Sequence, residues 1–544
     1  MRYLSENKRE DMRMKKRTAA RSMAALMGAA MVLIACGGGN TTAPTTGASS
    51  GGETQTASES AESGKITKTD IVVGQASDIV TLDPAGQQDT TSGVLMKHAY
   101  STLLDVDNEG KVVPDLAESY EMKSDTEYVF KLREDACFWD GTPVTAQDVK
   151  FSLDRAKGMP KTKSNTSKIE EVTVNGDHEV TIKLTEPYAA FKTIVTQHNL
   201  SILSEKAVTE AGDSYGDVDN LLGSGPFKVT EWVPNDHYTL VRNDNYWGEM
   251  PIATSITCRV IPEGSARTIA LEAGEIDVVW SVDPTDCANV ESNPDVKLLS
   301  QPSTGIDYVG MNTQKEKFSD KRVRQAINYA LDKQTFVDTI IEGRGLVANS
   351  YINAAIPGWT DEVEAYPYDP EKAKELLAEA GYPDGFECSI FVNGDLRTRS
   401  AQILQAQLAD VGIKVDISTY EWGALLDTLN AGEHEMFLLG WSNTSFDPDG
   451  STYQLFYSGN HGATGNRAFF SNDKVDELIL SAQRESEESK RMELYKELQF
   501  VLHDESPWCP LYYKENNVGV RADLKGFTLH AGAQHYLGNC HYEE

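Results

Sequence analysis

The segment from Gly37 to Lys65 divides this 544-residue chain into two parts with different prospects of folding. It consists mostly of Gly, Thr, Ser, Ala and Glu, so it cannot bury a core and behaves as a flexible tether. As a random coil, its 29 residues have an r.m.s. span of roughly 30 Å. The remainder, 66–544, is too long for one ordinary hydrophobic core and predicts two or more lobes.

Upstream of the tether, Lys8, Arg9, Arg13, Lys15, Lys16, Arg17 and Arg21 precede a largely apolar run from Met23 to Ala35. The run is shorter than the ~20 residues a spanning helix needs, and a charged-then-apolar order is that of a secretory signal. Leu33-Ile34-Ala35-Cys36 resembles a bacterial lipobox, in which cleavage leaves a lipidated cysteine as the first residue. We therefore expect a signal peptide over 1–35, a lipidated Cys36 opening a linker over 36–65, and an extracytoplasmic body anchored to the cell membrane.

The chain holds 50 Lys and Arg against 83 Asp and Glu; without residues 1–35, which carry 8 and 3 of these, the formal charge is −38. Such a field repels nucleic acid and anionic lipid, and it favours a soluble monomer over a nucleic-acid partner. Besides Cys36 there are Cys137, Cys258, Cys287, Cys388, Cys509 and Cys540, none in a CxxC pair or beside a His at ligand spacing. Disulfides and buried free thiols are both open. No metal or cofactor is expected.

Local signals describe an α/β chain. Asp107-Asn108-Glu109-Gly110 and Asn175-Gly176-Asp177 predict hairpin turns between short apolar runs. Thr145, with Asp148 three residues on, predicts a capped helix. Ile276 to Trp280 predicts a buried strand. After residue 306 helices and strands alternate: Asp369-Pro370-Glu371 starts a helix that Gly381 ends, and Gln402 to Val411 is a helix closed by Gly412. Met436-Phe437-Leu438-Leu439 predicts a strand that delivers Gly440-Trp441 to a loop, the place where open α/β sheets bind ligands.

Several segments, in one order, resemble the large solute-binding lipoproteins of peptide-type ABC importers (family 5 extracellular solute-binding proteins). They are AESYEMKSDTEYVFKLREDACFWDGTPVTAQDVKFSLDRA (117–156), GSGPFKVTEWVPNDHYTLVRNDNYW (223–247), LEAGEIDV (271–278), VRQAINYALDK (323–333) and YDPEKAKELLAEAGY (368–382). The resemblance implies a two-lobe, hinged, periplasmic-binding-protein-like α/β fold with an extra small domain inserted in the first lobe. On it we expect lobe I over 66–305 plus 511–544, the inserted domain at about 106–222, and lobe II over 306–510. It further implies capture of a short peptide or peptide-like solute between the lobes and delivery to ABC permease subunits in the membrane, without catalysis.

The expected ligand-binding residues centre on Gly440 to Asp449: Trp441, Asn443, Thr444, Ser445, Asp447 and Asp449. Peptide-binding members carry an Asp three residues after the Trp, pairing with the peptide's ammonium; here that position is Thr444. A hydroxyl cannot neutralise a buried ammonium, so Asp447 or Asp449 is expected to supply the charge. The Trp-Ser-x-x-x-x-Asp-x-Asp spacing is similar to the glutathione and short-peptide branch. Core packing is the alternative for Trp441, and an ordinary solvated turn for the acids. Tyr308, Tyr420 and Trp422 are candidates for an apolar cleft wall, with core packing as their alternative. Arg397 and Arg399, preceding the helix at Gln402, suit a ligand carboxylate, and otherwise are a solvated helix start. Arg267 is expected to pair with nearby acids.

Rival readings are a receptor for nickel, haem or another non-peptide solute, a purely structural surface lipoprotein, and a secreted serine hydrolase. The last rests on Gly212-Asp213-Ser214-Tyr215-Gly216, a G-x-S-x-G match. A nucleophile elbow needs a strand before it and a helix after it; a helical stretch precedes this one, so Ser214 reads as loop.

Overall fold

A computed structural model describes residues 65–544. The signal peptide, Cys36 and the linker expected before them lie outside the described residues.

One sheet of eleven strands organises the molecule, and two long antiparallel strands, Val296–Met311 and Trp508–Arg521, run through its middle. On one side of them lie Val278–Val279, Asp70–Gln75, Ser255–Val260, His237–Arg242 and Phe227–Val233. On the other lie Met436–Ser442, Phe386–Val392 and Ile413–Thr419, and Gly345–Val347 pairs with the second long strand. The long strands stay in register from Val296↔Arg521 to Pro302↔Glu515, slip, and resume at Ile306↔Tyr513. Each strand thus serves two halves, and the fold is a two-lobed α/β fold with its crossing at the slip.

Side-chain alternation explains how the second half is sandwiched. Along the first long strand Val309 and Met311 enter one apolar cluster, while Ile306 and Tyr308 enter another. Met436 and Leu438 of the neighbouring strand join the first cluster, and Phe437 and Leu439 join the second. A period of two puts successive residues on opposite faces, so helices must cover both. They do: Lys321–Ala330, Pro370–Glu379 and Gly394–Ala409 bury apolar residues in the first cluster, Trp422–Asn430 and Glu488–Glu505 in the second.

A third body is separate from the main sheet. Strands Ala117–Ser124, Glu127–Leu132, Glu179–Leu184 and Ile169–Gly176 form an antiparallel sheet in the order given, against helix Ala146–Lys157. Its own core gathers Phe130, Phe138, Leu153, Ile182 and Phe191. The helix opens with the expected capping box: Thr145 Oγ1 donates to the Asp148 carboxylate at 2.7 Å, and so does the Thr145 backbone N–H at 2.9 Å.

At the other extreme of the chain, Ile66–Lys68 pairs with Tyr542–Glu543, and the Glu544 N–H donates to the Lys65 carbonyl at 3.0 Å. The six cysteines within the described residues are free thiols, five of them buried, which settles the alternative left open above.

Several local expectations are corrected. The strand at 436 continues through Ser442, because Trp441 and Ser442 pair with Ile306 and Gly305 of the long strand; Gly440 and Trp441 therefore sit in the strand. The helix expected from Gln402 begins at Gly394, so Arg397 and Arg399 lie within its first turns. The strand at 276–280 shrinks to Val278–Val279. Arg267 donates to the backbone carbonyls of Ile261, Pro262 and Ser281 rather than to acids. Ser214, by contrast, is placed as expected: it ends a short 3-10 turn after helix Glu205–Ala211, with no strand before it.

Candidate functional site

A cavity of about 390 Å³ lies between the two halves, where strands from both sides end. Gln75 closes strand Asp70–Gln75, Trp441 and Ser442 close Met436–Ser442, and Asn393 follows Phe386–Val392; all three ends face the cavity. Crevices beyond strand C-termini are where open α/β sheets take ligands. The volume is within the roughly 300–1,000 Å³ of small-molecule sites. One wall comes from Gln75, residues 87–91, Gly93, Val94, Gln197–Asn199, Trp280 and Gln534–His535, the other from Arg397, Trp422, Leu439–Ser442, Thr444 and Arg467.

The structure divides the expected site residues. Trp441, Thr444, Trp422 and Arg397 line the cavity. Trp441 Nε1 donates to the Gly450 carbonyl at 3.0 Å, which fixes its ring. Thr444 Oγ1 reaches across to Gln197 Oε1 at 2.9 Å. The Arg397 guanidinium lies over the Trp422 ring, 5.8 Å from its centroid, and stands 3.9 Å from Asp307. Asp307 is held mainly by Lys514 at 2.7 Å. Opposite Asp307 on the next strand is Gly440, where a Cβ would stand 2.9 Å from the carboxylate, so a side chain there would displace this pair.

The remaining expected residues are placed elsewhere. Asn443 is a buried strut: its Nδ2 donates to the Asp447 carbonyl and Ser451 Oγ, both at 2.7 Å, and its Oδ1 accepts from the Ser445 N–H and Oγ. Asp447 meets Arg491 bidentately, at 2.9 Å through Nη1 and closer through Nη2. Asp449 accepts from Tyr188 at 2.5 Å and from Gln483 at 2.8 Å; burial and the nearby Asp447 push its carboxyl up to about 6. Neither acid lines the cavity, and both are consumed by the protein itself. Tyr308 stacks on Trp508 with centroids 3.4 Å apart inside the second half. Tyr420 packs on Phe391 at 4.9 Å. Arg399 bonds Asp283 across the halves at 2.6 and 2.9 Å.

Two charged residues that the sequence reading missed do face the cavity. Asp89 caps helix Thr90–Ala99, its Oδ1 accepting from the Ser92 N–H at 3.0 Å. Burial holds its carboxyl above the usual range. Arg467 is 6% exposed; its Nε donates to Asn430 Oδ1 at 3.0 Å, and among the described residues it forms no ion pair. A local scan reads Asp89 as an ordinary helix cap and Arg467 as one polar residue in a loop.

The cavity wall is also under-bonded. Gln75 Nε2, Gln88 Oε1, Asp89 Oδ2, Arg397 Nε, Trp422 Nε1 and Gln534 Oε1 are buried, and none has a hydrogen-bond partner. Each such group costs about 1–3 kcal/mol when it is left dry, so a folded protein rarely gathers six around one cavity, four on the first wall and two on the second, without a use for them.

Two α/β lobes joined by two crossing strands, with a polar, under-bonded cavity between them, define a bilobal solute-binding protein. Residues 111–463 match the bacterial extracellular solute-binding proteins, family 5 Middle, and the chain belongs to that family. It is 32% identical over 479 residues to the glutathione-binding protein GsiB of Shigella boydii, covering 85% of this chain and 92% of that one. It is 30% identical over 470 residues to a dipeptide-binding protein of Escherichia coli, covering 80% and 86%. Among solved structures, the ABC transporter-associated periplasmic binding protein DppA from Helicobacter pylori, in complex with peptide STSA, superimposes with a TM-score of 0.84 at 28% identity, over 88% of this chain and 99% of that one.

Proposed function

We propose that this protein captures a short peptide or peptide-like solute between its lobes and passes it to the permease of an ABC importer. The observation that carries the reading is the row of unpartnered polar groups along the cavity. A peptide bond brings one donor and one acceptor to such a wall, and its ends bring charge. The relatives' printed ligands, glutathione, a dipeptide and a tetrapeptide, support the same class. Binding needs no covalent step: a ligand touching both walls stabilises the closed arrangement over the open one.

The lobes follow from the same reading. Lobe I takes 66–305 with 511–544 and carries the inserted domain at about 106–222; lobe II takes 306–510. The register slip between Pro302 and Ile306 supports a hinge there. Trp441, Thr444, Trp422 and Arg397 contact the solute, whereas Asn443, Ser445, Asp447 and Asp449 hold the loop that presents Trp441 and Thr444. Cys36 carries lipid after cleavage of residues 1–35, and the protein works as a monomer on the outer side of the membrane.

Native mass spectrometry of protein purified without denaturation, followed by calorimetric titration with glutathione and with dipeptides, tests the reading. A co-purifying peptide or peptide-like mass, displaced by one of these at micromolar concentration, is expected. A bound metal ion or haem, with no heat from any peptide, would overturn it. The Cys36→Ala variant is expected to lose membrane retention and uptake while keeping its affinity in solution.

A further inference from the structure

The cavity separates charge between its two walls. On the first, Asp89 Oδ2 is buried with no hydrogen bond of good geometry, its neighbour being the uncharged Trp422 indole N–H, while Oδ1 is occupied by the helix cap. On the second, Arg467 has no carboxylate partner among the described residues, and its Nη atoms make no hydrogen bond. Taking either charge out of water without a counter-ion is costly, so each wall asks for the opposite charge. The Asp89 charge reaches Arg467, and Lys161 lies within reach of both, yet among the described residues none of the three forms an ion pair. Glu515, the other carboxylate on the cavity wall beside Asp89, has Arg344 within electrostatic reach. On the same wall as Asp89, Gln75 Nε2 and Gln534 Oε1 offer one free donor and one free acceptor from residues 3% and 5% exposed. Thr444 cannot serve as the amine anchor, because it lacks charge and its hydroxyl already donates to Gln197.

Resting on the peptide reading above, we propose that Asp89 of the first lobe holds the solute's free amine and Arg467 of the second holds its carboxylate. The substrate class is then a short zwitterionic peptide, γ-linked or α-linked, with an unblocked amine, its amide group meeting Gln75 and Gln534. The anchor for the amine lies across the cleft from Trp441 and Thr444. Because the ligand's two charges attach to opposite lobes, each end contributes fully only when the cleft is shut.

Calorimetry on the folded protein with glutathione, dialanine, their N-acetyl forms and their carboxamides tests this. A charge-assisted hydrogen bond lost on blocking the amine lowers affinity by about 10- to 100-fold. The Asp89→Asn variant, which retains a capping side chain, is expected to lose affinity for free-amine ligands by the same factor and to bind N-acetyl ligands as the parent does. Arg467→Gln should behave likewise towards the carboxamides. Equal losses on free and blocked ligands in Asp89→Asn, with an unchanged melting temperature, would overturn the assignment. So would parent protein that binds peptides but ignores N-acetylation, and that outcome leaves the peptide reading intact. Parent protein that binds no probe overturns both.

Discussion

The segment from Asn443 to Asp449, a loop that runs into the helix Asp449–Phe456, and the wall around Asp89 both present acids near the cleft, but they treat them in opposite ways. In the loop every carboxylate is answered from within: Asp447 by Arg491, Asp449 by Tyr188 and Gln483. On the wall the Asp89 carboxylate is half answered, and Gln75, Gln88 and Gln534 keep atoms with no partner at all. A satisfied network builds shape, whereas an unsatisfied one stores affinity for what is absent. Acid-rich sequence alone does not separate the two cases.

The largest effect that sharpens this contrast concerns two histidines of the first wall, His198 and His535, and His98 in the helix behind it. Burial depresses His98 to about 4 and His198 and His535 to about 3. Their unfolded values lie near 6.5, so they add stability that is fully present above about pH 6.5 and lost as the pH falls towards the folded values. We expect urea unfolding to show a loss on the order of 5 kcal/mol between about pH 6.5 and about pH 4.5. The His198→Gln variant should show a shallower slope. Asp449 works against this trend: with its folded value raised to about 6, its share of stability is present at low pH and lost as the pH rises through that value.

Next in size is the loop's own ion pair. Asp447→Ala leaves the Arg491 side chain, 4% exposed, without its partner, and breaking a buried pair in this way costs about 3–5 kcal/mol. Denaturant melts should show that loss, while peptide affinity measured well below the new melting temperature stays within a few-fold of the parent. A collapse of affinity with unchanged stability would instead move Asp447 into the binding surface and erase the contrast.

Smaller still is Trp422→Phe, which keeps an apolar ring against Arg397 and removes the unpartnered Nε1. If that atom donates to the ligand, affinity falls by an amount worth about 1 kcal/mol; calorimetry reads it, and an increase in affinity would show the group to be a liability. The smallest expected effect is Thr444→Ala, which deletes one bond between the walls. A loss of about 0.5–1.5 kcal/mol from closure should appear in small-angle scattering as a larger open fraction without ligand, with no dependence on whether the ligand's amine is blocked.

Much of the fold is written locally. Thr145 and Asp148 cap their helix, Asp369-Pro370 opens another, and Gly381 lies just beyond that helix with a φ of +95°. Those features need only neighbours in sequence. What the sequence reading placed differently depends on distant partners. Gly440-Trp441 stays in a strand because residues 305–307 pair with it, and Arg399 is drawn to Asp283, 116 residues away. The helix at Gly394 begins with Asp395, Arg397 and Thr398, which carry no apolar periodicity to announce it. The candidate site was half legible for the same reason. Trp441 and Trp422 advertise themselves by residue type, whereas Asp89 and Arg467 gain meaning only from the empty space that faces them.

The pairing of Ile66–Lys68 with Tyr542–Glu543 has a mechanical consequence. Lys65 and Glu544 are bonded to one another, so a pull transmitted through the residues before Lys65 and one applied at Glu544 meet at the same small seam. The same adjacency makes the molecule a candidate for circular permutation: a short linker across the seam, with new ends in an exposed turn such as Asp177-His178, should preserve both lobes.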